Sequence, residues 1–581
     1  MPIPFRLDYV IDRLSSAPTN RSTRYVPRGG NSRIRVLTGV SLAVLALILP
    51  FAHGESPALP APDPDDGAIR LPAGFRALVV ADNLGSLRFL AVASNGDLYA
   101  KTSDAGIVAL RDTSGDGRAD VIRSFGSGGG TGIAVRDGWL YHSSNSAVHR
   151  YRLDPGALVP SGEPETIVSG LPDERQHAAK AFAFDARGRL LVEVGSPSNA
   201  YGDPDRTLGA KGKDPTEFLR THGGFWRFDA DRAGQVQADG FHFSTGHRHV
   251  LAVAWNAVSN AFFVVMMGRD QLSTVAPQHY SDADNAELPA EEMHILQEGA
   301  DLGWPFSYYD PVRRARMLAP EYGGDNRRQA EPNRFPDPLV AFPAHWAPLQ
   351  MAFYAGDQFP AKYRGGAFIA FHGSWNRAPR PQQGYNVAFV PFDEKGMPRG
   401  SHEVFADDFA GVREFTNVRD ARFRPAGLAV GPDGSLYVAD SEKGRVWRIL
   451  YTGDSREPAT TSANTPRAAA PVSPNESLGA AVYLQSCAAC HMQDGSGVRG
   501  MQPALLGSAV AAGDPATLVR VLLRGSAALP AERPRHTNQM PGFDALSDEE
   551  IAAVAAYVGK TFGGKTMALT PGQVSALRDE P

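Results

Sequence analysis

Six times along the middle of the chain a tight turn is followed by a short run of apolar or alternating residues. Gly96-Asp97 precedes Leu98-Tyr99, Asp137-Gly138 precedes Trp139-Leu140-Tyr141, and Arg187-Gly188 precedes Leu190-Leu191-Val192. Ser259-Asn260 precedes Phe262-Phe263-Val264, Gly365-Gly366 precedes Phe368-Ile369, and Asp433-Gly434 precedes Leu436-Tyr437-Val438. Another apolar run stands before the turns, as in Ala181-Phe182-Ala183-Phe184, Ala252-Val253-Ala254-Trp255 and Gly427-Leu428-Ala429-Val430. Strands joined by turns of this kind read as hairpins. Their repetition reads as an array of small sheets closed into a ring, because closure removes exposed edges. The fold class expected is mainly β: a six-bladed β-propeller over residues 71–451, followed by a small all-α domain. Irregular spacing after the third and fourth hairpins marks insertions, and residues 75–80 are placed to complete the sheet begun by 446–451. A pair of β-sandwiches or a larger barrel is the alternative.

After residue 472 the pattern changes to helical spacing. Ser473, Pro474 and Glu476 read as N-cap, N1 proline and N3 of a capping box opening a helix through Leu478, Ala481 and Val482. Ser547 and Glu550 begin another, with Ile551, Val554, Ala555 and Val558 on one face. Between them lie the chain's only two cysteines, in Cys487-Ala488-Ala489-Cys490-His491. This is the haem-attachment pattern. Thiols three apart on one helical turn each reach a vinyl group on one porphyrin edge, and the next residue presents its imidazole to the iron. A zinc site would need a second pair. Met540, in a loop before the last long helix, resembles the sixth ligand of small c-type cytochromes; a sulfur ligand raises the potential, as suits a carrier that accepts electrons from an organic donor. Met492 stands too close to the attachment site to cross the ring, and Met501 is the alternative.

Composition changes the picture at the margins. A net charge of -5 and a pI near 6.3 argue against nucleic acid as partner. Arg33 and Arg35 precede an apolar stretch over residues 36–51 that ends in Ala52-His53-Gly54, which reads as an export signal within residues 1–54, or as an uncleaved anchor. A membrane contact follows only from the second. Export and covalent haem attachment both suit a bacterial periplasm. Residues 55–70 read as a Pro- and Asp-rich tether, 452–472 as a Pro/Ala/Ser/Thr linker, 473–564 as the cytochrome domain and 565–581 as a tail.

The propeller's motifs are more specific than its fold. Gly268-Arg269-Asp270-Gln271-Leu272, Glu287-Leu288-Pro289-Ala290-Glu291-Glu292, Gly303-Trp304-Pro305, Phe371-His372-Gly373-Ser374-Trp375-Asn376-Arg377 and Arg424-Pro425-Ala426-Gly427 resemble the glucose and sorbosone dehydrogenase family. Those are soluble quinoproteins that carry pyrroloquinoline quinone (PQQ) on a six-bladed propeller. The resemblance implies that His177, after Leu171-Pro172 and before Gly195-Ser196, is the catalytic base. It implies that Arg248, Arg422 and Arg424 bind the three PQQ carboxylates, the last two from one side of a strand. It also implies a calcium ion held by the backbone carbonyls of Gly268 and Arg269. The sequence departs from the family at His249, where asparagine is common, and at Met266 and Met267, where more polar residues are.

Asp112, Ser114, Asp116 and Asp120 place oxygen ligands around a glycine turn, as a structural calcium loop does, although Arg123 stands where an EF-hand has glutamate. The acidic group Asp282, Asp284, Glu287, Glu291 and Glu292 reads as a solvated insertion. The expectation is a quinohaemoprotein that oxidises a sugar or related alcohol or aldehyde and passes electrons through the haem to a cytochrome or respiratory oxidase, with the linker holding haem and quinone at high effective concentration. The rivals are a binding propeller that docks a partner to a cytochrome, and a metal-dependent propeller lactonase, for which an electron carrier has no use.

Overall fold

A computed structural model describes residues 59–174, 176–453, 474–492, 494–497, 502–530, 540, 542–544 and 546–580. The export segment, most of the linker, Ser473, Met501 and the residues on either side of Met540 lie outside this set.

Each predicted turn joins the two innermost strands of one blade. Blade 1 runs from Leu87–Val92 through Leu98–Thr102 and Ile107–Arg111 to Val121–Phe125. The innermost strands of blades 2 to 6 are Ile133–Arg136, Phe182–Phe184, Ala252–Asn256, Pro348–Phe353 and Pro425–Val430. Middle strands such as Ala367–Phe371 and Asn386–Val390 bury every residue, because each is covered on both faces by the neighbouring blades. Their continuous apolar runs follow from that double burial.

Blade 6 is closed by the other end of the chain. Phe75–Ala81 pairs antiparallel with Val446–Tyr451, in the register Phe75 with Tyr451, as the sequence leads one to expect. The segment read as a free tether is instead strapped to this seam. Asp63 Oδ2 accepts from Val79 N at 2.8 Å, and Asp66 Oδ1 accepts from Ala77 N at 2.9 Å and Arg76 Nε at 2.7 Å. Gly67, at φ 66°, lies so close to Trp447 that a Cβ would fall 2.6 Å from its ring nitrogen. Polar composition suggests a tether; carboxylates matched to amides far along the chain make it a clasp.

Among the described residues the longer helices of the C-terminal domain are α1 Pro474–Val482, α2 Pro515–Arg524, α3 Asp548–Thr561 and α4 Pro571–Arg578, and a one-turn helix Ala488–His491 carries the haem motif. The Ser547/Glu550 capping box opens α3 as expected. Val482, Tyr483, Leu518, Leu522, Ile551, Val554 and Val558 form one core. Close approach of α1 to α3 depends on Gly479, where a Cβ would meet Ala553 O at 2.3 Å. The stretch expected as a tail carries α4, capped by Thr570, with Val574 fully buried and Arg578 paired with Asp548 at 2.8 Å.

Two propeller histidines make the fold sensitive to acid. His142 and His247 are 5% and 0% exposed, and burial pushes both down to about 3, with neighbouring cationic groups adding to it. Below pH ~6.5 the unfolded chain binds protons there that the folded chain refuses. Stability is therefore full above that value and lost as pH falls below it, by up to about 1.4 kcal/mol per pH unit for each ring. The thermal midpoint, measured from pH 7 to 4.5, should fall, and His142→Gln should flatten the dependence; equal slopes in the two proteins would contradict the assignment.

Candidate active site

The chain entering each innermost strand and the chain leaving the second strand meet at one end of the propeller, where they line a cavity of about 610 Å³. Ser86 and Arg88 come from blade 1, Gly130 and Thr131 from blade 2, and His177 to Ala179 from blade 3. Arg248, His249, Met267, Gly268 and Asp270 come from blade 4, His345 and His372 to Asn376 from blade 5, and Arg424, Ser441 and Glu442 from blade 6. The sixfold repeat thus delivers polar side chains to a common centre while the strands behind them remain apolar.

His177 lines this cavity in a left-handed conformation, φ 54°, and its Nδ1 lies 2.5 Å from the Ser196 carbonyl. Only a protonated Nδ1 can make that bond, so the lone pair of the neutral ring is on Nε2. Burial, reinforced by Arg248, His249 and Arg206, holds His177 well below the usual imidazole range. His249, the departure from the family pattern, stacks on the His177 ring at 4.7 Å and 22°, and its Nδ1 is 3.1 Å from Oε1 of the buried Glu193. The substituted side chain therefore positions the candidate base.

Of the three arginines singled out, two reach the cavity. Arg424 donates through Nη2 to Gly373 O at 2.8 Å and through Nε to His372 O at 3.1 Å. Arg248 donates through Nη1 to Gly268 O at 2.9 Å and pairs with Asp270 through Nη2. Arg422 does not: it sits exposed at a bend, its guanidinium 5.1 Å from the Phe423 ring. The expected alternation fails because the strand begins only at Pro425. Two arginines that sequence reasoning missed take part instead. Arg88 lines the cavity, where burial and the Arg424 charge push it down to about 10. Arg206 reaches in from the insertion of blade 3 and donates to Asp270 Oδ2 at 3.1 Å, Gln271 Oε1 at 2.7 Å and Gln176 Oε1 at 2.8 Å.

The acidic residues are less solvated than their sequence suggests. Glu291 and Glu292 lie in a buried strand, each 2% exposed, whereas Asp282 and Glu287 are exposed. Glu291 faces the cavity, accepting from Gly268 N at 2.7 Å and Ala347 N at 2.9 Å, and burial pushes it up to about 8. Its apolar-flanked position on the third strand of blade 4 was the available signal. Burial also raises Asp270, but Arg248 and Arg206 outweigh it and hold this carboxyl below its usual range. The wall is therefore electropositive. The buried Nε atoms of Arg206 and Arg248 have no hydrogen-bond partner among the described residues. Unspent cationic donors around this cavity fit a polycarboxylate such as PQQ.

The expected metal sites fit less well. Gly268 O, one of the two carbonyls expected to bind calcium, already accepts from Arg248, so a divalent cation there would sit against a guanidinium. Arg269 is buried in an ion pair with Glu321. In the Asp112 loop the carboxylates turn to the loop's own amides: Asp112 takes Gly115 N and Gly117 N, both at 2.7 Å, Asp116 takes Arg118 N at 2.9 Å, and Asp120 takes Thr113 N at 2.7 Å and Ser114 N at 2.9 Å. Among the described residues no three His, Cys, Asp or Glu side chains converge as a metal site.

The haem motif behaves differently. Cys487, Cys490, His491 and Met540 line one pocket with Gln502, Pro503 and Phe543. His491 Nδ1 donates to Pro503 O at 2.9 Å, which fixes the tautomer that offers Nε2 to iron. Two thiols, an imidazole and a thioether on one pocket wall fit a covalently held haem. Three propeller residues, Arg206, Gln271 and Thr274, complete the same pocket.

A sequence profile described as TrAA12-like matches residues 69–309 and 318–452, more than half of the chain. The chain belongs to the TrAA12-like family. A second profile, cytochrome C oxidase, cbb3-type, subunit III, matches residues 474–558. This TrAA12-like propeller is 29% identical over 187 residues to the pyrroloquinoline quinone-dependent pyranose dehydrogenase of Coprinopsis cinerea, covering 28% of this chain and 25% of that protein. The cytochrome domain is 42% identical over 100 residues to the cytochrome c subunit of a quinone alcohol dehydrogenase of Gluconobacter oxydans, 17% of this chain and 20% of that one. An uncharacterized protein of Borreliella burgdorferi is 26% identical over 208 residues, 36% of this chain and 48% of its own length. The chain thus spans about half or less of the length of these relatives. Two solved structures, a Trichoderma reesei enzyme of carbohydrate-active family AA12 and the holo PQQ domain of the Coprinopsis cinerea enzyme, superpose with TM-score 0.54 at 18% and 20% identity. Each match covers 66% of this chain and 97% of the other, and shows the fold. The TrAA12-like protein is therefore a propeller similar to PQQ-dependent sugar dehydrogenases, joined to a cytochrome c domain.

Arg424 and Arg422 separate cleanly by experiment. Arg424→Ala removes a charged donor from the cavity and should weaken PQQ binding by roughly 10- to 100-fold, from about 1.5–3 kcal/mol for a charge-assisted hydrogen bond. Arg422→Ala should leave binding within twofold. Titration of the purified protein with PQQ, followed by fluorescence, measures both; equal losses would contradict the assignment.

Proposed function

We propose that this protein oxidises a sugar or a related alcohol or aldehyde in the periplasm, with PQQ in the propeller cavity as hydride acceptor and haem c as relay to an external one-electron acceptor such as a cytochrome or respiratory oxidase. The observation that carries the reading is the single cavity in which a neutral His177 faces a wall of Arg88, Arg206, Arg248 and Arg424. Bound PQQ supplies a carbonyl carbon that takes a hydride with its two electrons.

The chain's own residues do the rest. His177 Nε2 takes the substrate hydroxyl proton as the C–H bond breaks, and the Ser196 carbonyl and the His249 ring keep the imidazole oriented through the transfer. The guanidinium groups of Arg88, Arg206, Arg248 and Arg424 would hold the carboxylates of a bound quinone. Cys487 and Cys490 would anchor a haem c, to whose iron His491 would offer its Nε2 and Met540 its sulfur. The basic-apolar-small pattern at residues 33–54 supports export. Among the described residues no helix is long and apolar enough to cross a membrane.

The test is stopped-flow haem absorbance after mixing PQQ-loaded protein with a panel of aldoses, keto-aldoses and primary alcohols. A member of the panel should reduce the haem, and His177→Ala should lower that rate by roughly 10²- to 10⁴-fold with haem content unchanged. Because His177 is held neutral, the wild-type rate should not fall as pH drops through 6.5. Haem that stays oxidised with every member of the panel would overturn the proposal, and retained turnover in His177→Ala would remove that residue from it.

A further inference from the structure

We propose that the cytochrome domain is docked on the propeller at a built interface, with the Cys490 edge of its haem pocket against the wall of the quinone cavity, so that electrons cross a fixed contact rather than being carried by a diffusing, leashed domain. This rests on the function proposed above and specifies its electron path.

Three sets of contacts carry it. Gln271 Nε2 lies 3.5 Å from Cys490 Sγ, the atom that becomes the thioether of the attached haem. Gln271 belongs to the blade 4 insertion, and Arg206, which donates to it, lines both the haem pocket and the quinone cavity. Trp375, a second residue of the cavity wall, packs on its other side with Val418, Met492 and Cys490 in one apolar cluster; Trp375 and Met492 are 5% and 0% exposed. Asn417 pins the contact: its Nδ2 donates to Asp494 Oδ2 at 2.5 Å and to Ser496 Oγ at 3.1 Å, and Ser496 is 2% exposed. A side chain each from blades 3, 4 and 5 thus lies between the two centres or beside both.

The opposite rim of the cavity is left open. Ser103, Asp104 and Asn145, from blades 1 and 2, line it and are exposed. Substrate enters there while the haem stays seated across the cavity. Oxidation of one hydroxyl to a carbonyl releases two electrons and two protons. A haem c held by Cys487, Cys490, His491 and Met540 would relay these electrons singly to two molecules of an external ferric cytochrome, and the two protons leave to solvent.

Asn417→Asp tests the interface with little change to the fold. Asn417 Oδ1 caps Arg419 N at 3.0 Å, and an aspartate keeps that acceptor while turning the donor toward Asp494 into a second carboxylate. Haem reduction by substrate should slow at least tenfold, while reduction of a small dye directly from the propeller stays within twofold. Hydrogen exchange of the amides of residues 417–420 and 494–497 should speed at least tenfold in the variant, a readout independent of turnover. Inserting about forty Gly/Ser residues into the linker should leave haem reduction within twofold; a searching leash would slow it about fivefold, by the -3/2 power of a tripled length. Wild-type rates and exchange in Asn417→Asp, or a fivefold loss on lengthening the linker, would overturn the docking. Loss of dye and haem reduction together, in the unmodified protein and with all substrates, would instead overturn the proposed function, and hydrogen exchange would still decide whether the domains dock.

Discussion

The carboxylate of Asp270 is the point on which the site is built. It is buried, and it is shared: Oδ2 receives Arg206 at 3.1 Å together with Arg248, and Oδ1 receives Asn376 Nδ2 at 2.5 Å. Burying one anion alone costs several kcal/mol, by roughly the effective penalty for an isolated charge. Burying it between two guanidiniums turns that cost into a constraint that fixes loops of blades 3, 4 and 5 against each other. The Asp270 main chain is held too, its N–H and C=O both bonded to the Asn199 amide at 2.8 and 2.9 Å. Two cations on one anion leave a positive excess aimed into the cavity, which is the charge a tricarboxylate needs. The same bond network carries Arg206 and Gln271 to the haem pocket, so quinone binding and haem seating depend on one buried group.

Position within the ring then explains how one cavity serves two traffics. Every blade contributes the residues entering its first strand, so the cavity is symmetric in construction, but the insertions are not. Blades 3, 4 and 5 carry the long excursions and, with the segment entering blade 6 at Asn417 and Val418, the contacts with the cytochrome, whereas blades 1 and 2 end in short loops at the exposed Ser103, Asp104 and Asn145. Asymmetry of insertion becomes asymmetry of access.

How much of this could be read from residues alone depended on the distance over which the deciding contact acts. The six turns, the Ser547 capping box and the haem motif were legible because each is local, with partners within four residues. The strap at Asp63 and Asp66 was not, since its polar composition is that of a linker and its partners lie at Val79 and Ala77 across a strand that composition cannot place. Glu291 and Glu292 read as solvated because charge outweighed their neighbours in the count, although they share a strand with Met293 and Leu296. Arg422 and Arg424 looked equivalent on the premise that the strand extends through both. Arg206 and Trp375 needed the tertiary fold: their importance is that each touches two places, a property no single stretch of sequence contains.

The linker and the interface acquire a common logic from their sizes. Among the described residues, the contact of the cytochrome with the propeller includes a small apolar cluster at Trp375, Val418 and Met492, two hydrogen bonds from Asn417 and one to sulfur. Two hydrogen bonds at about 1 kcal/mol each and a few kcal/mol of apolar burial fall within the roughly 4–15 kcal/mol that free association loses in motional freedom. Separate proteins with this contact would stay apart at micromolar concentration. A linker of about twenty residues supplies an effective concentration in the millimolar range, which removes several kcal/mol of that loss. The linker thus makes a weak contact persistent without making it permanent. That is the balance the proposed relay needs, in which a haem would take electrons from one partner fixed in the same chain and give them to another that arrives from outside.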